Sequence, residues 1–494
     1  MIAANCGYET TVMEWPSLDE IRDELLNNNY KYIGISFIPS TFNKMKKIVE
    51  TVREVSPSSK IIIGGYGTAV PHIENLVDVD YICKGEGIRF IRNILKKSPT
   101  FHLNHPLVTS SIVEFLGIQI PFVRVGQIVT GLGCQYGCEF CVTSAFFNCV
   151  YQPFLTRGED IYTLIEEQCR SSGLKNYWII DENFLFNRER IYEFHNTICR
   201  RGNKIPDYSI DMIWSTSDLV SSYTPLQLAE IGVTKCWMGY ESMFTYYKKN
   251  KNTNFSKLIK ELNEVGISVL LSCTAFVDSH DENSWKEELN QFISLGQAYS
   301  QFLPLCAFPG TPLYKKMDRA GRIIDGMAWE DKHALSHSFH KHDKIPIWRQ
   351  KSLIHDAYCK EYERNGPSQI RDLLTRLKGY ENMIQSGSEI LAKKAEYLKK
   401  HLINQVPWVL AARKHIKINH QLLVDKAIAE LERIIDKNCI KNSEIASKYI
   451  DRLICKNLKV KNGKEVTERE PGTRISIYDG YHSKPILVKN PVVW

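Results

Sequence analysis

The chain has 494 residues, 43% hydrophobic and 24% charged, with a formal net charge of +7 from 63 basic and 56 acidic side chains. This composition excludes a disordered, collagen-like or low-complexity protein, and so mild a basic excess argues against a dedicated binder of nucleic acid or of a membrane surface. The length suggests about three domains at roughly 150 residues each. The unusual feature of the composition is the 14 cysteines, which call for disulfides, metal or burial. Met1-Ile2-Ala3-Ala4-Asn5-Cys6 has neither the basic start nor the long apolar stretch of a secretory signal. No run approaches the ~20 apolar residues that span a bilayer. A cytoplasmic, reducing setting is therefore expected, in which clustered cysteines favour metal binding or catalysis over disulfides.

Taken in chain order, Lys31 to Phe37 reads as a buried strand, and residues 42–55 as a helix with Met45, Ile48, Val49 and Val52 at helical spacing. Lys60 to Ile63 is a second strand, closed by Gly64-Gly65. Asp78 to Cys83 is a third, followed by a helix near 88–97. These predict part of a doubly wound α/β domain over residues 1–100. Residues 101–125, with Pro106 and Pro121, read as a linker. Strand and helix then alternate through residues 126–330. The predicted strands are Gln127–Thr130, Tyr177–Ile180, Ile210–Trp214, Lys235–Met238, Val269–Phe276 and Gln301–Phe308. Helices fall between them near 158–171, 188–200, 225–231, 255–265 and 283–295. Six such units predict a parallel sheet in a full or partial barrel. Residues 331–494 are mostly helical, for example 388–403 and 420–436, and end in short β-like pieces, RISIY and PILV. The helical part is expected to cover the open barrel mouth and shape the substrate pocket.

The chemistry concentrates in Gly133-Cys134-Gln135-Tyr136-Gly137-Cys138-Glu139-Phe140-Cys141. The three cysteines have C-x3-C-x2-C spacing and follow the first strand of the long alternating region. Parallel α/β folds build their sites at such strand ends. Three soft thiolates favour iron–sulfur or zinc over hard, oxygen-seeking ions. A zinc site usually takes four ligands in pairs, and no second pair is present. A ferredoxin-type cluster needs a fourth cysteine at a set spacing, which Cys149 does not supply. Three thiolates would leave one iron of a four-iron cluster open. A non-catalytic zinc or Fe–S module for structure or electron transfer stays as the alternative, and three merely buried cysteines as the bland one.

The C-x3-C-x-aromatic-C pattern, with Phe140 in the aromatic place, resembles the radical SAM superfamily. The wider stretch looks like its cobalamin-binding-domain subgroup. The resemblance implies that Cys134, Cys138 and Cys141 hold a 4Fe-4S cluster whose fourth iron binds S-adenosylmethionine. It also implies reductive cleavage of that cofactor to start radical chemistry, with possible methyl transfer to carbon where cobalamin binds. Ile180-Asp181-Glu182-Asn183-Phe184 is similar to an acidic strand-end stretch lying near the SAM amino group. Its competing reading is a helix cap. Gly239-Tyr240-Glu241-Ser242 looks like a stretch whose Glu faces the cofactor, and a Glu ending a buried strand is costly unless paired. Asp181, Glu182, Glu241 and Phe140 are thus the expected S-adenosylmethionine residues. Thr216 stands where relatives commonly carry an Arg, so no carboxylate-binding Arg carries over there. Pro309-Gly310-Thr311-Pro312-Leu313-Tyr314 matches the stretch closing the last barrel unit.

Toward the N-terminus, Ser36, Gly64 and Gly65 resemble the cobalamin-facing positions of the subgroup's Rossmann-like domain. Glycines after strands allow close backbone approach to a cofactor. Relatives begin with an apolar strand and loop before a Gly-Tyr-Glu-like step, whereas this sequence starts almost at Gly7-Tyr8-Glu9. The expected architecture is therefore a partial (β/α)6 radical SAM barrel, preceded by a truncated Rossmann-like cobalamin-binding-type domain and followed by a helical domain. An external electron donor such as flavodoxin or ferredoxin is implied. His333, His337, His340 and His342 read as a polar connector rather than a metal site, and the eleven other cysteines as buried small hydrophobes.

Overall fold

The structure, a computed structural model, describes all residues except 101, 111–113, 116–117, 120–123, 246, 251–252, 462–472 and 490–494. It begins with β1 (Thr10–Glu14) and α1 (Leu18–Asn27). A capping box starts α1: the Ser17 hydroxyl accepts from the Glu20 N–H while the Glu20 carboxylate accepts from the Ser17 N–H. Then come β2 (Tyr32–Ser36), α2 (Phe42–Val55), β3 (Lys60–Gly64), α3 (Ile73–Leu76), β4 (Tyr81–Ile82) and α4 (Gly87–Ile94). Strands β2, β3 and β4 form a parallel sheet in that order. Its core joins Ile21 and Leu25 of α1 with Met45, Val49 and Val52 of α2 over Ile61 and Ile63.

The stretch read as a linker contributes β5 (Val108–Ser110) and the short pair β6 (Glu114–Phe115) and β7 (Ile118–Gln119). The main sheet then forms from β8 (Val125–Val129), β11 (Asn176–Ile180), β12 (Ser209–Trp214), β13 (Lys235–Glu241), β14 (Ser268–Ala275) and β15 (Tyr299–Pro304). Between β8 and β11 lie β9 (Gly131–Leu132), α5 (Val142–Phe146), β10 (Gln152–Pro153) and α6 (Gly158–Ser172). The later crossovers are α7 (Arg188–Arg201), α8 (Ser217–Val220) with α9 (Pro225–Glu230), α10 (Phe255–Glu264) and α11 (Glu282–Phe292). Six strands are parallel and β5 adds antiparallel to β8, in the order β15-β14-β13-β12-β11-β8-β5.

Alternation along the strands decides the two faces. Tyr177, Ile179, Cys236, Met238, Val269 and Leu271 are buried beneath the helices with Ile161, Ile165, Phe194, Ile259 and Leu289. Each such side chain contributes roughly 1.5–3 kcal/mol on burial. Gly173 ends α6 in the left-handed conformation, φ +69°, which turns the chain into β11.

After α12 (Pro312–Arg319) come α13 (Ile347–Asn365), α14 (Ser368–Gln385), α15 (Glu389–Ala412), α16 (Gln421–Ile434) and α17 (Lys437–Lys461). The helical part differs from expectation in where it packs. Lys394 of α15 donates to the Tyr208 carbonyl at 3.1 Å, and the Tyr397 hydroxyl to Asn176 Oδ1 at 2.7 Å. Gly379 of α14 lies against Gly266, just before β14. These contacts are at the strand starts, opposite the cysteine loop. Finally β16 (Arg474–Tyr478) and β17 (Leu487–Lys489) form an antiparallel sheet with β1, pairing Thr10 with Tyr478.

Candidate active site

From Val129 the chain passes through Thr130 and β9 into the cysteine loop. Gly133 has φ +89° and Gly137 φ +66°, and a Cβ on Gly133 would collide with the Val150 carbonyl. Both positions favour glycine. Cys141 precedes α5 with extended backbone, and its N–H donates to the Cys138 carbonyl at 3.0 Å. Cys134, Cys138 and Cys141 are half-buried and free of disulfides. Burial pushes the Cys138 thiol up to about 11, against the pull of Lys249, and burial also raises Cys134. A bound metal would take the place of those protons. A cavity of about 250 Å³ opens on the loop, lined by Tyr136, Cys138, Glu139, Thr245, Tyr247 and Lys249.

The donor set is three free thiols on one loop, soft ligands that suit iron–sulfur or zinc over oxygen-seeking ions.

The three acidic residues have different surroundings. Asp181, which ends the β11 region, is fully enclosed. It accepts from Thr130 Oγ1 and the Tyr151 hydroxyl, both at 2.7 Å, and pairs with Arg190 at 3.2 Å. Its other oxygen accepts the Asn183 N–H at 2.9 Å. Its charge is thus answered inside the protein. Glu182 instead has Oε2 buried without a partner among the described residues. Burial and then the Asp181 charge raise its carboxyl to about 7. Glu241 sits at the end of β13 with φ +65°. It ion-pairs with Lys249 and accepts the Thr274 hydroxyl at 2.7 Å. A Cβ on Gly239 would strike the Glu241 carboxylate, so the glycine gives that side chain room to fold back.

Phe140 packs edge-on against Tyr247 at 5.6 Å, with the Lys249 ammonium 5.8 Å from its ring centre. Burial opposes charge on Lys249, but Glu241 and Cys138 outweigh it and the amine's pKa is raised. The Tyr136 hydroxyl donates to Asp218 at 2.8 Å and accepts from Thr216 at 3.3 Å. The Thr216–Asp218 stretch therefore braces the cysteine loop, with Thr216 bonding Tyr136.

Ser36, Gly64 and Gly65 gather at the C-terminal ends of β2 and β3. Ser36 is exposed, and Gly65 adopts φ +88° over the Phe37 carbonyl. The next residue, Tyr66, crosses to the cysteine region. Its hydroxyl meets Thr143 Oγ1 at 3.1 Å and its ring packs on Phe146 at 5.0 Å. Gly310 of the P-G-T-P-L-Y stretch approaches Ala69. The C-terminal ends of the two parallel sheets thus face each other.

Sequence reasoning missed Lys249, Tyr66 and Arg190. Lys249 lies in a polar run with no motif, and Arg190 looks like a solvated charge opening a helix. Tyr66 sits inside Gly64-Gly65-Tyr66-Gly67, which marks a turn but not a cross-domain contact. The histidine connector is also less polar than expected: His337, His340 and His342 are buried, and burial lowers His340 to about 4.

The fold and site define a class before any individual likeness is considered: a parallel α/β enzyme-type sheet with a three-thiol loop at its functional end. No family model matches the chain. The fold is shared with TsrM of Kitasatospora setae, a radical S-adenosylmethionine methyltransferase solved with cobalamin and a [4Fe-4S] cluster. That structure has a TM-score of 0.53 at 12% identity, covering 78% of this chain and 90% of that one. A second TsrM structure, with tryptophan substrate and the SAM analogue aza-SAM, gives 0.54 at 13% identity, covering 73% and 87%. In sequence, the chain is 25% identical over 249 residues to the bacteriochlorophyllide d C-8(2)-methyltransferase of Chlorobaculum tepidum, covering 47% of this chain and 52% of that protein. It is 23% identical over 260 residues to an uncharacterized methyltransferase of Pyrococcus horikoshii, covering 50% and 52%. The chain thus spans about half the length of the curated relatives it matches.

Proposed function

We propose that the chain is a cobalamin-type radical SAM methyltransferase in which Cys134, Cys138 and Cys141 ligate a 4Fe-4S cluster. One observation carries this reading. The three thiols sit on a single loop at the end of the first parallel strand, facing the Gly65–Tyr66 end of the smaller sheet. When bound, the cluster, S-adenosylmethionine and cobalamin supply the electron-transfer and methyl-transfer chemistry.

The chain's residues bind, orient and exclude water. Cys134, Cys138 and Cys141 would hold the cluster through three thiolates, which would leave one iron open to S-adenosylmethionine. Glu182, with its unpartnered Oε2, offers the acceptor for the ammonium. Asp181 acts through Arg190 and Tyr151 to fix the strand end that presents Glu182. Glu241 holds Lys249 beside Cys138, and Phe140 with Tyr247 shields that side of the loop. Ser36, Gly64 and Gly65 form the cobalamin-facing edge, where the absence of a Cβ lets a corrin ring approach the backbone.

In this reading the six parallel strands are the partial (β/α)6 barrel of residues 126–330. Residues 1–100 form the reduced cobalamin-binding-type domain, and residues 331–494 the helical one. The electrons come from an external donor such as flavodoxin or ferredoxin. None of the described helices is long and apolar enough to cross a membrane.

Anaerobic reconstitution with iron and sulfide tests the reading. The expected result is a broad band near ~410 nm, lost in Cys138→Ala. With added cobalamin, reductant and S-adenosylmethionine, the wild type should release S-adenosylhomocysteine or 5′-deoxyadenosine. A wild-type chain without the band, or a Cys138→Ala chain that keeps it, would overturn the reading.

A further inference from the structure

Outside the cysteine loop, an imidazole, a carboxylate and a thiol meet where α15 and α17 pack together. His415 lies in the turn that leaves α15, its N–H donating to the Ala412 carbonyl at 2.9 Å. Asp451 and Cys455 lie one turn apart on α17, which puts both on one face of the helix. Packing fixes that face. Ile450 and Ile454, each directly before one of the donors, are buried with Ala411 of α15, and Trp408 packs against them. The donors therefore stand at the rim of an apolar joint. His415 and Asp451 are half-buried there, and Cys455 is exposed and free of a disulfide.

His415 Nε2 and Asp451 Oδ1 are 2.7 Å apart. One ligand atom from each of the three side chains lies within 4.8 Å of the other two. The second carboxylate oxygen, Oδ2, accepts from the Lys414 ammonium at 2.8 Å. An ion pair accounts for the carboxylate and the imidazole, but not for a thiol beside them. Burial as a small hydrophobe, the usual reason for a cysteine, does not explain the exposed Cys455. One nitrogen, one carboxylate oxygen and one thiolate are a mixed donor set that suits Zn²⁺, and a tetrahedral zinc holds such donors about 3.4–3.6 Å apart. Hard ions such as Mg²⁺ and Ca²⁺ take oxygen throughout. To reach that geometry the His415–Asp451 contact opens by about 0.7 Å from its 2.7 Å, and no other pair closes by more than about 1.4 Å.

We propose that His415 Nε2, Asp451 Oδ1 and Cys455 Sγ bind a zinc ion, with water in the fourth position, and that the ion clips α17 to the end of α15. Binding replaces the His415–Asp451 hydrogen bond with two metal bonds. The imidazole then carries its proton on Nδ1, and the Cys455 thiol proton leaves to solvent. Lys414 on Oδ2 keeps the carboxylate turned toward the ion. Because α15 is itself tied to the strand starts through Lys394 and Tyr397, the clip anchors the last long helix to the main sheet. The inference does not rest on the proposed function or on what the cysteine loop binds.

Zinc titration of the untagged full chain against a chromophoric chelator, with the bound metal counted by atomic emission, tests it. The chain reconstituted with iron and sulfide should take up a zinc ion with a Kd of about 10 µM or tighter. Cys455→Ser and Asp451→Asn should each weaken that binding at least tenfold. Cys138→Ala should keep it, which separates this site from the cysteine loop. Cys359→Ser, in the pair that Cys359 Sγ makes with His355 Nε2 at 3.5 Å on α13, should keep it as well. Zinc should also slow amide exchange across residues 450–455 at least threefold in the wild type and leave it unchanged in Cys455→Ser. A Kd weaker than about 10 µM, or a zinc ion retained by Cys455→Ser and lost in Cys138→Ala or Cys359→Ser, would overturn the proposal. So would amide exchange across residues 450–455 that is indifferent to zinc.

Discussion

The two ends of the main sheet are built from the same strands but are closed differently. At the strand starts, α14 and α15 form a packed joint. Gly379 lies on Gly266, Asp372 pairs with Arg376 at 3.1 Å, and Lys394 stands 3.3 Å over the Tyr208 ring. At the strand ends there is instead a cavity against the cysteines, while buried polar atoms without a hydrogen-bond partner among the described residues occur at both ends, Glu182 Oε2 here and Asp372 Oδ1 there. Parallel α/β proteins keep stability at one end and chemistry at the other. A similar division recurs within the open end, where Asp181 is enclosed by Thr130, Tyr151 and Arg190 while the neighbouring Glu182 has Oε2 without a hydrogen-bond partner among the described residues.

The largest expected effect is at the open end. Cys138→Ala should abolish cluster assembly while leaving the melting temperature of the metal-free chain unchanged, measured by iron content and circular dichroism. Next comes the contrast between neighbours. Asp181→Asn removes one partner of a buried ion pair whose members are 0% and 1% exposed. It should cost about 3–5 kcal/mol in denaturant unfolding. Glu182→Gln should leave stability unchanged or slightly raised, and weaken S-adenosylmethionine binding about tenfold, or 1.4 kcal/mol. Equal destabilisation by both would erase the distinction between the two acids.

At the closed end, Gly379→Ala should destabilise the fold by about 2 kcal/mol, because its Cβ would collide with the Gly266 backbone and outweigh the helix propensity gained. Iron bound per folded molecule should not change. The smallest effect is on pH dependence. Burial lowers Lys394 to about 7 from an ordinary 10.5. Between those values the unfolded chain holds a proton that the folded chain releases, so this group makes stability rise with pH, by at most about 1.4 kcal/mol per unit. Subtracting the Lys394→Met profile from the wild type between pH 7 and 9 should show that rise, and a flat difference would contradict it.

Much of the framework is legible in the sequence because apolar alternation and helical periodicity are local. The strand predicted at Tyr177–Ile180 is observed at Asn176–Ile180, and the helix predicted at 188–200 at Arg188–Arg201. What escapes is set by distant partners. β1 is unremarkable as Thr-Thr-Val-Met-Glu and becomes a strand by pairing with β16, more than 450 residues away. The predicted strand at Asp78–Cys83 shrinks to Tyr81–Ile82, since Asp80 is turned to the Arg53 and Lys60 side chains. The predicted strand at Gln301–Phe308 stops at Pro304, where pairing with β14 ends. In the site, the cysteine spacing is readable because one short loop holds it. The separate roles of Asp181, Glu182 and Glu241 are not, because Arg190 and Lys249 reach Asp181 and Glu241 from other segments, while burial sets Glu182 apart.

The most direct test of the central claim is electron paramagnetic resonance of the anaerobically reconstituted, reduced chain, with and without S-adenosylmethionine. The account predicts about four irons and four sulfides per chain, and a reduced-cluster signal that shifts on adding S-adenosylmethionine and disappears in Cys138→Ala. A chain that takes up a single zinc and no sulfide, or a cluster signal indifferent to S-adenosylmethionine, would contradict it.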